Sequence, residues 1–252
     1  MHGAAEQIPL FPADEPVDAV DGLTVRESGR AKRLSIKVFP RGRVEVVVPK
    51  RTHARDVAAF VEENREWIAR SRAAFAKEHP PEPFALPAFI SLPAIGRRYT
   101  VRYEQIAGKS TVRIREASPG ILCLHGNTGD ETQCVAALKR WLASTARKAF
   151  EPKLKSLAQL TGNPYKRMHV RGQKTCWGSR SSSGTISINY SLLFLAPAVV
   201  RYLMVHELCH GVHMNHSRRF WALVARHEPG YRQLDRELSA GWKSVPSWLG
   251  FY

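Results

Sequence analysis

The chain has 252 residues, 44% hydrophobic and 24% charged, which is ordinary for one large globular domain or two small ones. No apolar run reaches the length of a membrane span, and the N-terminus lacks the basic start and apolar core of a secretory signal. The formal charge is +16; residues 1–21 hold five acids and no Lys or Arg, so the rest carries +21. A basic surface of that size suits an anionic partner such as nucleic acid, a nucleotide or an acidic protein. The four cysteines (Cys123, Cys134, Cys176, Cys209) form no C-x-x-C pair, which fits reduced thiols in a cytoplasmic protein.

Residues 1–22 are rich in Pro, Ala and Asp without any period and read as a flexible N-terminal tail. A β-rich region with one long helix is expected over 23–125. Leu34, Ile36 and Val38 alternate with Arg33, Ser35 and Lys37, the pattern of a half-buried strand. Pro40-Arg41-Gly42 is a turn into a returning strand, Val44 to Val48. Thr52 is placed to cap a helix that carries Val57, Phe60, Val61, Trp67, Ile68 and Phe75 at helical spacing. Residues 79–93 hold five Pro and read as a linker or wrapping loop. Further strands are expected at Tyr99–Tyr103, Val112–Ile114 and Ile121–Leu124.

A second domain is expected over 126–252. Thr128-Gly-Asp-Glu131 has the spacing of a capping box and opens a long amphipathic helix, kinked at Pro152 and closed by Gly162. Extended segments follow between His169 and Gly178, and Thr185 to Tyr190 alternates as a strand. Such a strand edge can bind extended peptide backbone or simply complete a hairpin.

The segment Val205-His206-Glu207-Leu208-Cys209-His210 carries the chemistry. Residues four apart share a helix face, so His206 and His210 can reach one metal ion. Glu207 is then placed to take a proton from a water at the metal's open position. Pro197 suits the first turn of this helix, and Val199, Val200, Leu203 and Met204 supply its buried stripe. A catalytic zinc needs a third protein ligand. His216, six residues after His210, has the spacing of H-E-x-x-H-x-x-G-x-x-H sites, although here Gly211 comes early and His213 takes the usual Gly position. Gly211 and Asn215 tolerate the backbone angles needed to turn the chain back. His213 and the downstream carboxylate Glu228 compete for the same role. Ser217 is placed to cap a following helix with Phe220, Trp221, Leu223 and Val224 on its apolar face. Pro229-Gly230 ends that helix, and Leu234 and Leu238 mark one more.

Lys174-Thr-Cys-Trp177-Gly178-Ser179, Ile186-Ser-Ile-Asn189, Tyr202-Leu-Met-Val-His206-Glu207-Leu-Cys-His210 and Asn215-His216-Ser217-Arg-Arg-Phe220-Trp221 together resemble the YgjP-like metallopeptidases. Arg33 to Val38 and Val44 to Pro49 fit the same family. The resemblance implies an α+β fold with a zincin-like catalytic part, its H-E-x-x-H helix packed beside a small β-sheet. It also implies Zn2+ held by His206, His210 and His216, with Glu207 as general base and peptides or proteins as substrates. A more distant similarity is to SprT-type proteases. Candidates for stabilising an oxyanion are Tyr190, His169, Arg171 and Tyr231. Two other readings stay open at this stage. The same centre can hydrolyse phosphate-containing substrates such as nucleotides, with Arg218 and Arg219 facing the phosphate. A nucleic-acid-binding protein with a structural zinc would need a fourth ligand, His213 or Cys209.

Overall fold

Period-two alternation and one long helical stripe build most of this α+β chain, for which the computed structural model describes residues 23–29, 31–38, 44–78, 84–173 and 176–250. The expected tail over 1–22, the Pro40–Gly42 turn and Lys174-Thr175 lie outside the described residues.

The contacts divide the chain between Pro83 and Phe84. The first unit holds β1 (Leu23–Glu27), β2 (Ser35–Val38) and β3 (Val44–Val48) in the order β1-β3-β2. β3 runs parallel to β1 and antiparallel to β2. Every β3 residue is buried, and its Glu45 is paired with Arg26 at 3.4 Å. Val46 and Val48 pack with Val57 of helix α1 (Ala54–Glu63). The single expected helix is two, because the chain breaks at Asn64 before α2 (Arg65–Glu78). His53, not Thr52, is the N-cap of α1; the Thr52 hydroxyl donates to the Pro49 carbonyl instead.

The second unit begins with a four-stranded sheet in the order β4-β5-β7-β6, comprising β4 (Phe89–Leu92), β5 (Arg97–Gln105), β6 (Val112–Ser118) and β7 (Ile121–Gly126). β4 lies inside the Pro-rich stretch read as a linker. Its Ile90 and Leu92 are buried, and that alternation is too short to stand out among the prolines. The sequence reading divides the chain at 125/126, but this sheet packs on the long helix α3 (Glu131–Thr161) and belongs with it. Tyr99 meets Trp141 edge-on at 5.1 Å across that contact.

Helix α3 buries Cys134, Leu138, Leu142, Ala146, Phe150 and Leu154, four residues apart throughout. Its N-cap is Asp130, two residues after the Thr128 expected in that role. Asp130 accepts from the Gln133 backbone N–H at 3.0 Å and from its side-chain amide at 2.9 Å. The helix runs through Pro152 as one element and ends at Gly162 with φ 69°. A three-stranded sheet follows, with β10 (Thr185–Asn189) between β8 (Arg167–Arg171), parallel, and β9 (Gly178–Arg180), antiparallel. Helices α4 (Pro197–Cys209), α5 (Arg218–His227) and α6 (Tyr231–Ala240) complete the unit, and α4 packs against α3, α5, α6 and β9. No helix among the described residues is long and apolar enough to cross a membrane. Cys123, Cys134, Cys176 and Cys209 form no disulfide.

Candidate metal centre

Helix α4 begins at Pro197, where a missing N–H costs nothing, and is buried on nearly all sides. Its last turn carries His206 and Glu207, with His210 as C-cap. Beyond it the chain tightens: Gly211 N–H donates to the Leu208 carbonyl, and the Val212 and His213 N–H groups both donate to the Cys209 carbonyl. Neither Gly211 nor Asn215 adopts a positive φ, so the reversal needs no unusual backbone angle. Gly211 leaves space for its neighbours instead. A Cβ there would lie 2.8 Å from Arg180 Nη2 and 3.0 Å from the Leu208 carbonyl.

Ser217 then caps α5, its hydroxyl accepting from Phe220 N–H at 3.3 Å, and His216 just before it returns to the helix. The His206 and His210 Nε2 atoms stand 3.2 Å apart, and His216 Nε2 is 3.1 Å from His206 Nε2. The ligating atoms of these three residues all lie within 4.8 Å of one another. His213 and Glu228 are outside the cluster. The imidazole of His213 takes no part, while its backbone carbonyl receives the hydrogen bond of His210 Nδ1 at 3.0 Å. Glu228 is ion-paired with Arg201 at 2.9 Å.

The tautomers follow from the partners. His210 Nδ1 faces a carbonyl and therefore carries the hydrogen. The Tyr202 hydroxyl donates to Asp235 Oδ1 at 2.7 Å, so toward His206 Nδ1, at 3.4 Å, it accepts. Both Nε2 atoms are thereby left with lone pairs pointing at each other. Facing acceptors at this distance can share a cation. Burial and the two neighbouring imidazoles push His206 down to about 3, so the ring is neutral.

Packing fixes the ring planes. Phe220, fully buried, stacks on His210 with centroids 4.4 Å apart and meets His206 and His216 edge-on at 5.0 and 4.9 Å. Trp221 stacks on exposed His216 and on Tyr231. Of the four oxyanion candidates, Tyr231 therefore has a chain of ring contacts to the triad. Tyr190 is buried, and a Cβ at Gly172 would collide with its hydroxyl. His169 and Arg171 lie on β8, the strand farthest from β9.

Glu207 is buried, and its Oε2 has no hydrogen-bond partner among the described residues. Burial pushes its carboxyl up to about 8, with Arg180 opposing. Gly178 of β9 makes room for it, since a Cβ there would sit 2.8 Å from Glu207 Oε1. Asn189 sets up that approach. Its amide donates to the Gln173 and Cys176 carbonyls and its oxygen accepts from Ser191 N–H, pinning the segment that leads into β9. Cys209 is fully buried, and burial pushes its thiol up to about 11, so it behaves as a small hydrophobe.

Sequence reasoning quoted Tyr202 and Gly178 only as motif residues without a role, and it missed Asp235 and Arg180. Tyr202 was within reach, because it lies four residues before His206 on one helix. The others come from elements distant in sequence.

No curated protein matches the chain. A solved structure with similarity is the metallopeptidase zymogen of Pyrococcus abyssi abylysin, at 26% identity, covering 36% of this chain and 92% of that one, with a TM-score of 0.33. Residues 32–240 match the YgjP-like metallopeptidase domain, and the chain belongs to that metallopeptidase family.

Proposed function

We propose that the chain is a zinc-dependent metallopeptidase with a zincin-like catalytic part, in which His206, His210 and His216 hold Zn2+ and Glu207 is the general base. The observation that carries this reading is the convergence of the imidazole Nε2 atoms beside the buried Glu207, whose Oε2 has no hydrogen-bond partner among the described residues. The spacing supports zinc: a tetrahedral site with Zn–N bonds of about 2.0–2.1 Å holds its nitrogens about 3.3–3.4 Å apart. A structural zinc would be closed by a fourth ligand, and Cys209 and His213 stand outside the cluster.

When bound, zinc supplies Lewis acidity, polarising the scissile carbonyl and easing ionisation of water. With a cation held by the triad, the Glu207 carboxyl is drawn back down from about 8, and the carboxylate then takes the proton of the attacking water and passes it to the leaving amine. β9 is an edge strand on the Glu207 side of α4, so an extended peptide can add to the sheet there. Tyr231 is the side chain we favour for stabilising the oxyanion, through its position behind Trp221. A phosphate-ester substrate is the second reading, favoured by Arg218 and Arg219, both exposed and without ion pairs among the described residues.

The test uses the purified full chain. Elemental mass spectrometry is expected to find one zinc per chain, lost in His206→Ala. Cleavage of denatured casein should stop on chelation, return with zinc and be absent in Glu207→Gln at full metal occupancy. Cleavage by fully metallated Glu207→Gln would overturn the assigned role. Phosphate release from nucleotides without casein cleavage would move the assignment to the second reading.

A further inference from the structure

Alternation in the β4-β5-β7-β6 sheet sends Ile90, Tyr99, Val101, Leu122 and Leu124 to the α3 side. The opposite face is lined by arginines whose exposed side chains flank a buried Cys123. Register places Arg102 and Arg115 on either side of Cys123, Arg113 beside His125, and Arg98 beside Ser91. All four arginines are exposed. The carboxylate on this face is Glu104, which reaches Arg115 at 3.9 Å. Every cation on these four strands is Arg and none is Lys. Phe89, on the same face, is 68% exposed, the ring of a large aromatic left in water.

We propose that this face binds single-stranded nucleic acid, with Arg98, Arg102, Arg113 and Arg115 on phosphates and Phe89 under a base. Neighbouring strands are about 4.8 Å apart and like-facing residues on one strand about 6.8 Å apart, so the guanidiniums form a grid rather than one point charge. Arginine's planar fork suits phosphate better than a lysine ammonium does. A four-stranded face, about 14 Å across at about 4.8 Å per strand, is wider than a major groove of about 12 Å, whereas it offers splayed bases a surface to stack on. An acidic protein would use the charges but not the exposed ring. The inference is independent of the metal centre.

The experiment is fluorescence anisotropy of a labelled 20-nucleotide oligo(dT) with the full chain, across a salt series. Reversal of three arginines in R98E/R102E/R113E is expected to weaken binding at least tenfold and to lower the slope of log affinity against log salt by about 2. The charge-matched control R147E/K148E/K155E, on the exposed side of α3, should change affinity less than about threefold. Phe89→Ala should weaken oligo(dT) roughly tenfold and leave heparin binding unchanged. Should the reversal variant melt early, R98Q/R113Q carries the same test with a slope change of about 1.4. Equal losses in the sheet and control variants would overturn the proposal. So would an unchanged oligo(dT) affinity in Phe89→Ala, or binding to phosphatidylserine vesicles with none to oligo(dT).

Discussion

The Tyr202 hydroxyl donates to Asp235 Oδ1 at 2.7 Å and turns its lone pairs toward His206 Nδ1 at 3.4 Å. Helix α6 thereby holds the tautomer of a histidine on helix α4. Outer partners of this kind orient an imidazole and raise its basicity, and their loss costs about 10–100-fold in metal affinity. Tyr202→Phe is expected to fall in that range when zinc affinity is measured by competition with a chromogenic chelator. Asp235→Asn should show a smaller loss, since the amide oxygen still accepts. An unchanged affinity in Tyr202→Phe would mean that packing alone orients His206.

Gly178 tests the placement of Glu207 without touching its chemistry. An added methyl would sit 2.8 Å from Glu207 Oε1 and 3.1 Å from its Cγ, so the carboxylate must move. With Glu207 as the proposed general base, displacing it by about an ångström costs roughly 100-fold. Gly178→Ala is therefore expected to lower kcat by about that factor while retaining one zinc per chain. Full activity in this variant would show that Glu207 reaches its working position by another path.

Arg180 and Gly211 form a second space-limited pair. Arg180 Nη2 donates to the Pro164 carbonyl at 2.8 Å and occupies the volume a Gly211 side chain would need. Overpacking of this sort costs about 1–3 kcal/mol. Gly211→Ala should be destabilised by that amount in urea, and Arg180→Ala in the same chain should recover part of it. The recovery is partial because the Leu208 carbonyl also crowds the site at 3.0 Å. Strict additivity of the two substitutions would rule out their contact as the cause.

The helix that presents the triad is legible because local rules suffice there. Pro197 marks the start, His206 and His210 share a face by spacing, and Ser217 is a cap by residue type. His216 is legible through its distance from His210. Asp235 is not, because its contact with Tyr202 crosses between helices 33 residues apart. Gly178 and Gly211 look like turn residues in the sequence, yet each serves as an empty volume beside a side chain from another element. Strand β4 was hidden because four residues give too little alternation to outweigh flanking prolines.

Asp130 gives the pH dependence of α3 a definite sign. The Gln133 backbone N–H and side-chain amide hold its carboxyl below the ordinary range. A carboxyl lowered on folding stabilises fully above its unfolded value, about 3.9, and loses that contribution as pH falls through the folded value. Asp130→Asn caps a helix comparably but does not titrate. Urea midpoints of the parent and Asp130→Asn should therefore differ most near neutrality, with the parent higher, and converge as pH drops below about 4. The group is only half-buried, so salt should shrink the neutral-pH difference by screening the charge against the helix dipole. A gap that stays constant from neutral to acid pH would show that the cap contributes by geometry alone, with no share from its charge.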